Sequence, residues 1–101
     1  MGNRTGSIGL PDGDAASASR SAAAFYDLGI ACSVGRDDTP IDLVQAHKWF
    51  NLAAMAGLRR AQEDRADVAS AMSADEIAAA QRAARDFLRA APPGTAIGQA
   101  A

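Results

Sequence analysis

Apolar residues recur at helical spacing in four segments of the chain. In the first segment, 21–34, Phe25, Leu28 and Cys32 follow one another at steps of three and four residues. Such steps place side chains on one stripe of a helix. Gly35 comes directly afterwards, where glycine commonly ends a helix. The pattern therefore predicts a helix that turns these three side chains inward.

The second segment, 42–56, carries a broader apolar face and ends at Gly57. The sequence offers two candidate N-caps for this helix. One is Thr39, with Pro40 at the first helical position, and the other is Asp42. The predicted inward residues are Leu43, Ala46, Phe50 and Ala53, with Trp49 beside them.

A third helix is predicted from Leu58 to about Met72, and it is the least apolar of the four. Ser73 and Glu76 then match a capping box, in which each side chain accepts a backbone N–H that the first turn leaves free. The helix that starts there is closed by Pro92. The predicted inward residues of these two helices are Leu58, Ala61 and Val68, then Ile77, Ala80, Ala84, Phe87 and Leu88. No segment alternates with a period of two, so the sequence predicts an all-α fold.

The two ends of the chain are rich in Gly, Pro, Ser and Ala. Segments with few large apolar residues bury too little surface to offset their ordering entropy. We therefore expect disordered tails at 1–20 and 92–101, on either side of one folded domain over 21–91. Alanine supplies 26 residues, whereas Leu, Ile, Val and Phe together supply 17, so the domain is expected to pack its helices closely through small residues.

Composition excludes several functional classes. A single Cys forms no intramolecular disulfide, and one Cys with one His is too few ligands for a typical zinc site. A net charge of −2 lacks the basic footprint of nucleic-acid binders. No apolar run reaches the length of a membrane span or a signal peptide. We expect a cytoplasmic protein with no metal, cofactor, nucleic-acid or membrane partner.

Small and aromatic residues are regularly spaced between residues 24 and 61. They are Leu28-Gly29, Cys32, Gly35, Asp42, Ala46, Trp49-Phe50, Ala53-Ala54, Gly57 and Ala61. This block resembles the Sel1-like repeat, a relative of the tetratricopeptide repeat. Cys32 stands where the family has an aromatic residue, and the connector after Gly35 is one residue longer and lacks the second Gly. The resemblance implies two stacked antiparallel helical hairpins, with 24–61 as a good repeat and 61–91 as a degenerate capping unit.

The same resemblance implies a function without catalysis. Sel1-like proteins are adaptors that hold other proteins on a concave face lined by the first helix of each hairpin. Two alternatives stay open. One is a hydrolytic enzyme or enzyme subunit that uses Cys32 and His47, although Cys32 is interpreted here as a buried small hydrophobe and His47 as a partly exposed helix residue. The other is a self-associating structural repeat, because arrays usually need about three repeats for stability.

Four residues are predicted to form the partner-binding surface. Tyr26 and Ile30 lie off the inward stripe of the first helix, at i and i+4, and should be partly exposed. A shift of 37 residues carries these positions to Glu63 and Asp67 on the third helix, which places all four on the concave ridge. We expect them to bind an apolar segment flanked by Lys or Arg. Alternatively, Tyr26 and Ile30 pack against the tail or a second copy of the chain.

Overall fold

The computed structural model describes residues 12–36, 38 and 40–90, and no strand occurs among them. The predicted all-α class is therefore confirmed for this part of the chain. The four helices are α1 (Asp12–Val34), α2 (Leu43–Met55), α3 (Arg59–Ala69) and α4 (Ala74–Ala90). None of them combines the length and the apolarity needed to cross a membrane.

Local side-chain chemistry starts two of the helices. The Asp42 carboxylate accepts the backbone N–H of Gln45 at 3.1 Å, so Asp42 is the cap of α2 and the choice left open by the sequence is settled. At the start of α4, the backbone N–H of Ser73 donates to Glu76 Oε1 at 2.8 Å and that of Glu76 donates to Ser73 Oγ at 3.1 Å. The predicted capping box is therefore confirmed.

Glycines follow the ends of α1 and α2, as predicted. Gly35 has φ 74° and Gly57 has φ 108°, in the region that L side chains rarely adopt. Gly35 begins the connector between α1 and α2, and Gly57 lies in the short turn between α2 and α3.

Helix α1 begins earlier than the sequence predicts. It starts at Asp12, inside the segment expected to be a tail. Alanine has the highest intrinsic helix propensity, and extending a helix that packing has already nucleated costs far less than starting one. The alanine-rich stretch 15–24 therefore continues α1 towards the N-terminus. The rest of the predicted N-terminal tail and the C-terminal tail 92–101 lie outside the described residues.

Helix α2 is the centre of the arrangement. It packs closely against α1, α3 and α4, and no other pair of described helices packs as closely. Although α3 and α4 are consecutive, each one uses α2 rather than the other as its main neighbour. The stacking of two hairpins stays a prediction.

The core lies around α2 and contains mostly small residues. Phe50 and Leu52 are its largest fully buried side chains. An aromatic cluster joins it, with Trp49 stacked on Phe25 at 5.7 Å between ring centroids and Phe87 edge-on to both rings. Besides Phe25, the other buried residues of the described part are Ala22, Gly29, Ala46, His47, Ala53, Ala61, Ala80 and Ala84.

The inward stripe predicted for α1 needs correction. Phe25 is buried, but Leu28 is 44% exposed and Cys32 is only partly buried. Among the described helices, α2 is the one close neighbour of α1, so only a narrow side of α1 is covered. Leu28 lies beside this covered strip rather than on it.

Candidate interaction face on α1 and α3

A hydrogen bond joins α1 directly to α3. The Tyr26 hydroxyl donates to Asp64 Oδ2 at 2.6 Å, the short distance typical of an O–H bond to a charged acceptor. This contact places the side of α1 that carries Tyr26 next to the side of α3 that carries Asp64.

The ring of Tyr26 makes two further contacts. Its ring lies 5.5 Å from the Phe50 ring between centroids, and the Arg60 guanidinium lies 5.3 Å from the centre of the Tyr26 ring. The hydrogen bond to Asp64 raises the pKa of Tyr26, and partial burial acts in the same direction. The hydroxyl therefore stays protonated at neutral pH and remains a donor to Asp64.

The predicted binding residues differ in exposure. Tyr26 and Ile30 are partly buried, whereas Glu63 and Asp67 are exposed. On α3, Glu63 follows Arg60 by three residues and Asp67 follows Asp64 by three, so both pairs are neighbours on the helix surface. We name the four predicted binding residues, Tyr26, Ile30, Glu63 and Asp67, the α1–α3 face.

Sequence reasoning missed Asp64, the residue that Tyr26 contacts. The hydrogen bond joins positions 38 residues apart, one more than the repeat offset of 37. That offset pairs Tyr26 with Glu63, which the structure leaves exposed. The spacing of Arg60 and Asp64 at i and i+4 is the signal that could have identified this pair, because a cation and a carboxylate one turn apart can hold one side chain between them.

A second polar contact lies between α2 and α3. Arg65 Nη1 donates to Asn51 Oδ1 at 2.5 Å. His47 lies one turn before Asn51 and is 4% exposed, so the expectation that it is partly exposed is wrong. Its Nδ1 has no hydrogen-bond partner among the described residues. Burial lowers the pKa of His47, and the positive charge of Arg65 lowers it further.

Cys32 and His47 do not form a hydrogen-bonded pair within the described residues. Burial raises the pKa of the Cys32 thiol and the Asp42 carboxylate raises it further, while Lys48 acts in the opposite direction. The thiol is therefore protonated at neutral pH, which is its less nucleophilic form. No group of three or more His, Cys, Asp or Glu side chains in the described part of the chain is placed to hold a metal ion.

Comparisons with known proteins leave the family open. The chain matches no protein-family model, no curated protein and no solved structure. The resemblance to the Sel1-like repeat therefore stays a prediction from the spacing of residues 24–61.

Proposed function

We propose that this protein is a non-enzymatic interaction module that binds another protein on the α1–α3 face. The observation that carries the proposal is the Tyr26–Asp64 hydrogen bond, because it links a side chain of α1 to a side chain of α3. The face then combines apolar surface from α1 with charged surface from α3.

The chemistry of the face suits an apolar segment flanked by Lys or Arg. The Tyr26 hydroxyl is occupied by Asp64 and its ring contacts Phe50 and Arg60, so this residue offers only the uncovered part of its ring, and Ile30 on the next turn adds aliphatic surface. The carboxylates of Glu63 and Asp67 on α3 are exposed, and we expect them to attract the flanking cations. Such rim charges mainly set specificity and association rate, while the apolar centre supplies most of the affinity.

Charge reversal tests the proposal without disturbing the core. The double variant Glu63→Lys with Asp67→Lys changes two exposed side chains, so its melting temperature should stay close to that of the wild type. Binding would be measured by fluorescence anisotropy against a panel of peptides with one apolar centre and either Lys or Glu flanks. We expect the Lys-flanked peptides to bind the wild type, and the double variant to lose about tenfold or more in affinity.

A matched variant controls for net charge. Asp38→Lys with Asp86→Lys makes the same change of charge at exposed positions outside the face, and it should bind the Lys-flanked peptides like the wild type. The proposal fails if no Lys-flanked peptide binds the wild type. It fails equally if both double variants lose affinity to the same extent.

A further inference from the structure

Asp64 carries a carboxylate that forms no ion pair with the described residues. Arg60 stands four residues before it on α3, a spacing at which opposite charges commonly pair on a helix surface. The one ion pair within the described ranges joins Asp86 to Arg89 instead. Asp64 is partly buried, and its Oδ2 accepts the hydrogen bond from Tyr26 at 2.6 Å. In this part of the chain, a carboxylate available to a cation therefore lies at the hydroxyl end of the Tyr26 ring.

Arg60 contacts the Tyr26 ring rather than the carboxylate. The central carbon of its guanidinium lies 5.3 Å from the ring centroid, where the negative face of the ring attracts a cation. The hydrogen bond to Asp64 raises the pKa of Tyr26, and the nearby charge of Arg60 opposes this effect. The positive charge of Arg60 therefore acts on both the ring and its hydroxyl end.

This contact can be displaced without disturbing the core. Arg60 is exposed, whereas Phe50, which contacts the same Tyr26 ring, is fully buried. A cation–π contact at an exposed position is weak, and the lost freedom of a long arginine side chain opposes it. An incoming cation with better contacts would therefore replace Arg60 and leave the packing around Phe50 in place.

We propose that the Tyr26 ring and the Asp64 carboxylate form a subsite for one cation, which Arg60 occupies in the free protein and a Lys or Arg of the partner takes over on binding. This inference rests on the proposed function and adds the position of one flanking cation of the bound segment. A cation from the partner is not tied to α3, so it can gain a cation–π contact and an ion pair together. Arg60 is then a built-in competitor that selects for segments with a well-placed basic residue.

Removing the competitor tests this arrangement. Arg59 and Arg60 are adjacent and exposed, so Arg59→Gln and Arg60→Gln change the net charge equally, whereas Arg60 is the one placed over the Tyr26 ring. The Lys-flanked peptides would be titrated against both variants by fluorescence anisotropy. Arg60→Gln should bind them about two- to fivefold more tightly than Arg59→Gln, which is the size of one exposed cation–π contact. Equal affinities of the two variants overturn the proposal.

A neutral replacement of the carboxylate completes the test. Asp64→Asn keeps an oxygen that can accept the Tyr26 hydroxyl but removes the charge, so circular dichroism and the melting temperature should stay close to those of the wild type. We expect about tenfold weaker binding of the Lys-flanked peptides than to Asp38→Asn, which removes an exposed carboxylate outside the α1–α3 face.

The outcomes separate this subsite from the proposed function. If the Lys-flanked peptides bind the wild type but Asp64→Asn binds them like Asp38→Asn, the subsite is overturned and the proposed function stands. If they bind neither the wild type nor Arg60→Gln, both proposals are overturned.

Discussion

Helix α2 makes different kinds of contact with α1 and with α3. Towards α1 the contact is steric and apolar, since a Cβ placed on Gly29 would lie 2.6 Å from two carbons of the Phe50 ring. Towards α3 the contact contains polar groups besides the buried Ala61, with Arg65 bonded to Asn51 and the imidazole of His47 buried one turn away. The contact of Gly29 with Phe50 depends on shape and contains no titratable group. The contact with α3 includes Arg65 and His47, so its stability should depend on pH.

The largest expected effect is on the steric side. Phe50 is 1% exposed, and truncating a buried Phe removes apolar contacts and leaves a cavity. We expect Phe50→Ala to lower the free energy of unfolding by about 3–5 kcal/mol, measured by urea denaturation. Trp49→Ala provides the comparison, because Trp49 is partly exposed and should cost less. Equal losses for the two variants would contradict the central position assigned to Phe50.

The next effect tests the close approach of α1 and α2. Alanine is normally favoured over glycine inside a helix by about 1 kcal/mol, yet Gly29→Ala places a methyl group against a buried ring. Overpacking of this kind typically costs about 1–3 kcal/mol, so we expect a net loss of stability and a lower melting temperature.

A second substitution separates steric overlap from other causes. Phe50→Leu removes the ring that the new methyl group would meet, so it should cost less in the Gly29→Ala background than in the wild type. A double-mutant cycle measures this coupling. Strict additivity of the two substitutions would show that the methyl group and the ring do not interact.

The smallest effect concerns the polar side of α2. Because the pKa of His47 is lowered in the folded chain, the unfolded chain binds more protons once the pH falls below the ordinary value of 6.5. Stability from the neutral imidazole is complete above that pH and is lost as the pH falls towards the lower folded value. The slope for one group is at most about 1.4 kcal/mol per pH unit.

Comparison with a variant isolates this contribution. His47→Gln keeps a polar side chain that does not titrate, so its unfolding free energy should change less than that of the wild type between pH 7 and pH 5. If wild type and variant show the same pH profile, His47 is not the titrating group. Arg65→Gln should weaken the wild-type dependence, because the positive charge that opposes protonation of His47 is removed.

Sequence predicted those features of the fold that depend on neighbouring residues. The capping box from Ser73 to Glu76 and the glycine stops at Gly35 and Gly57 are confirmed, and Asp42 is the one observed of the two caps that the sequence left open. Each of them is decided within about four residues of chain, so its spacing is visible in the sequence.

Features that depend on distant neighbours were harder to predict. Leu28 has the spacing of an inward residue but is exposed, and His47 was expected to be partly exposed but is buried. Both outcomes depend on which helices surround the residue rather than on periodicity. The candidate site has the same limit, because the repeat offset aligned Tyr26 with Glu63 although its hydrogen-bond partner is Asp64.

Because α2 is central, the other three described helices share it as their main packing partner. In a linear array each unit depends on its immediate neighbours, and removing an end unit costs one interface. Here α1, α3 and α4 all depend on the same helix, and the cross-links among them start from α1, through Tyr26 to Asp64 and through Phe25 to Phe87. The domain therefore depends on one shared packing partner among its described helices. A substitution that disturbs the packing of α2 is therefore expected to destabilise α1, α3 and α4 together.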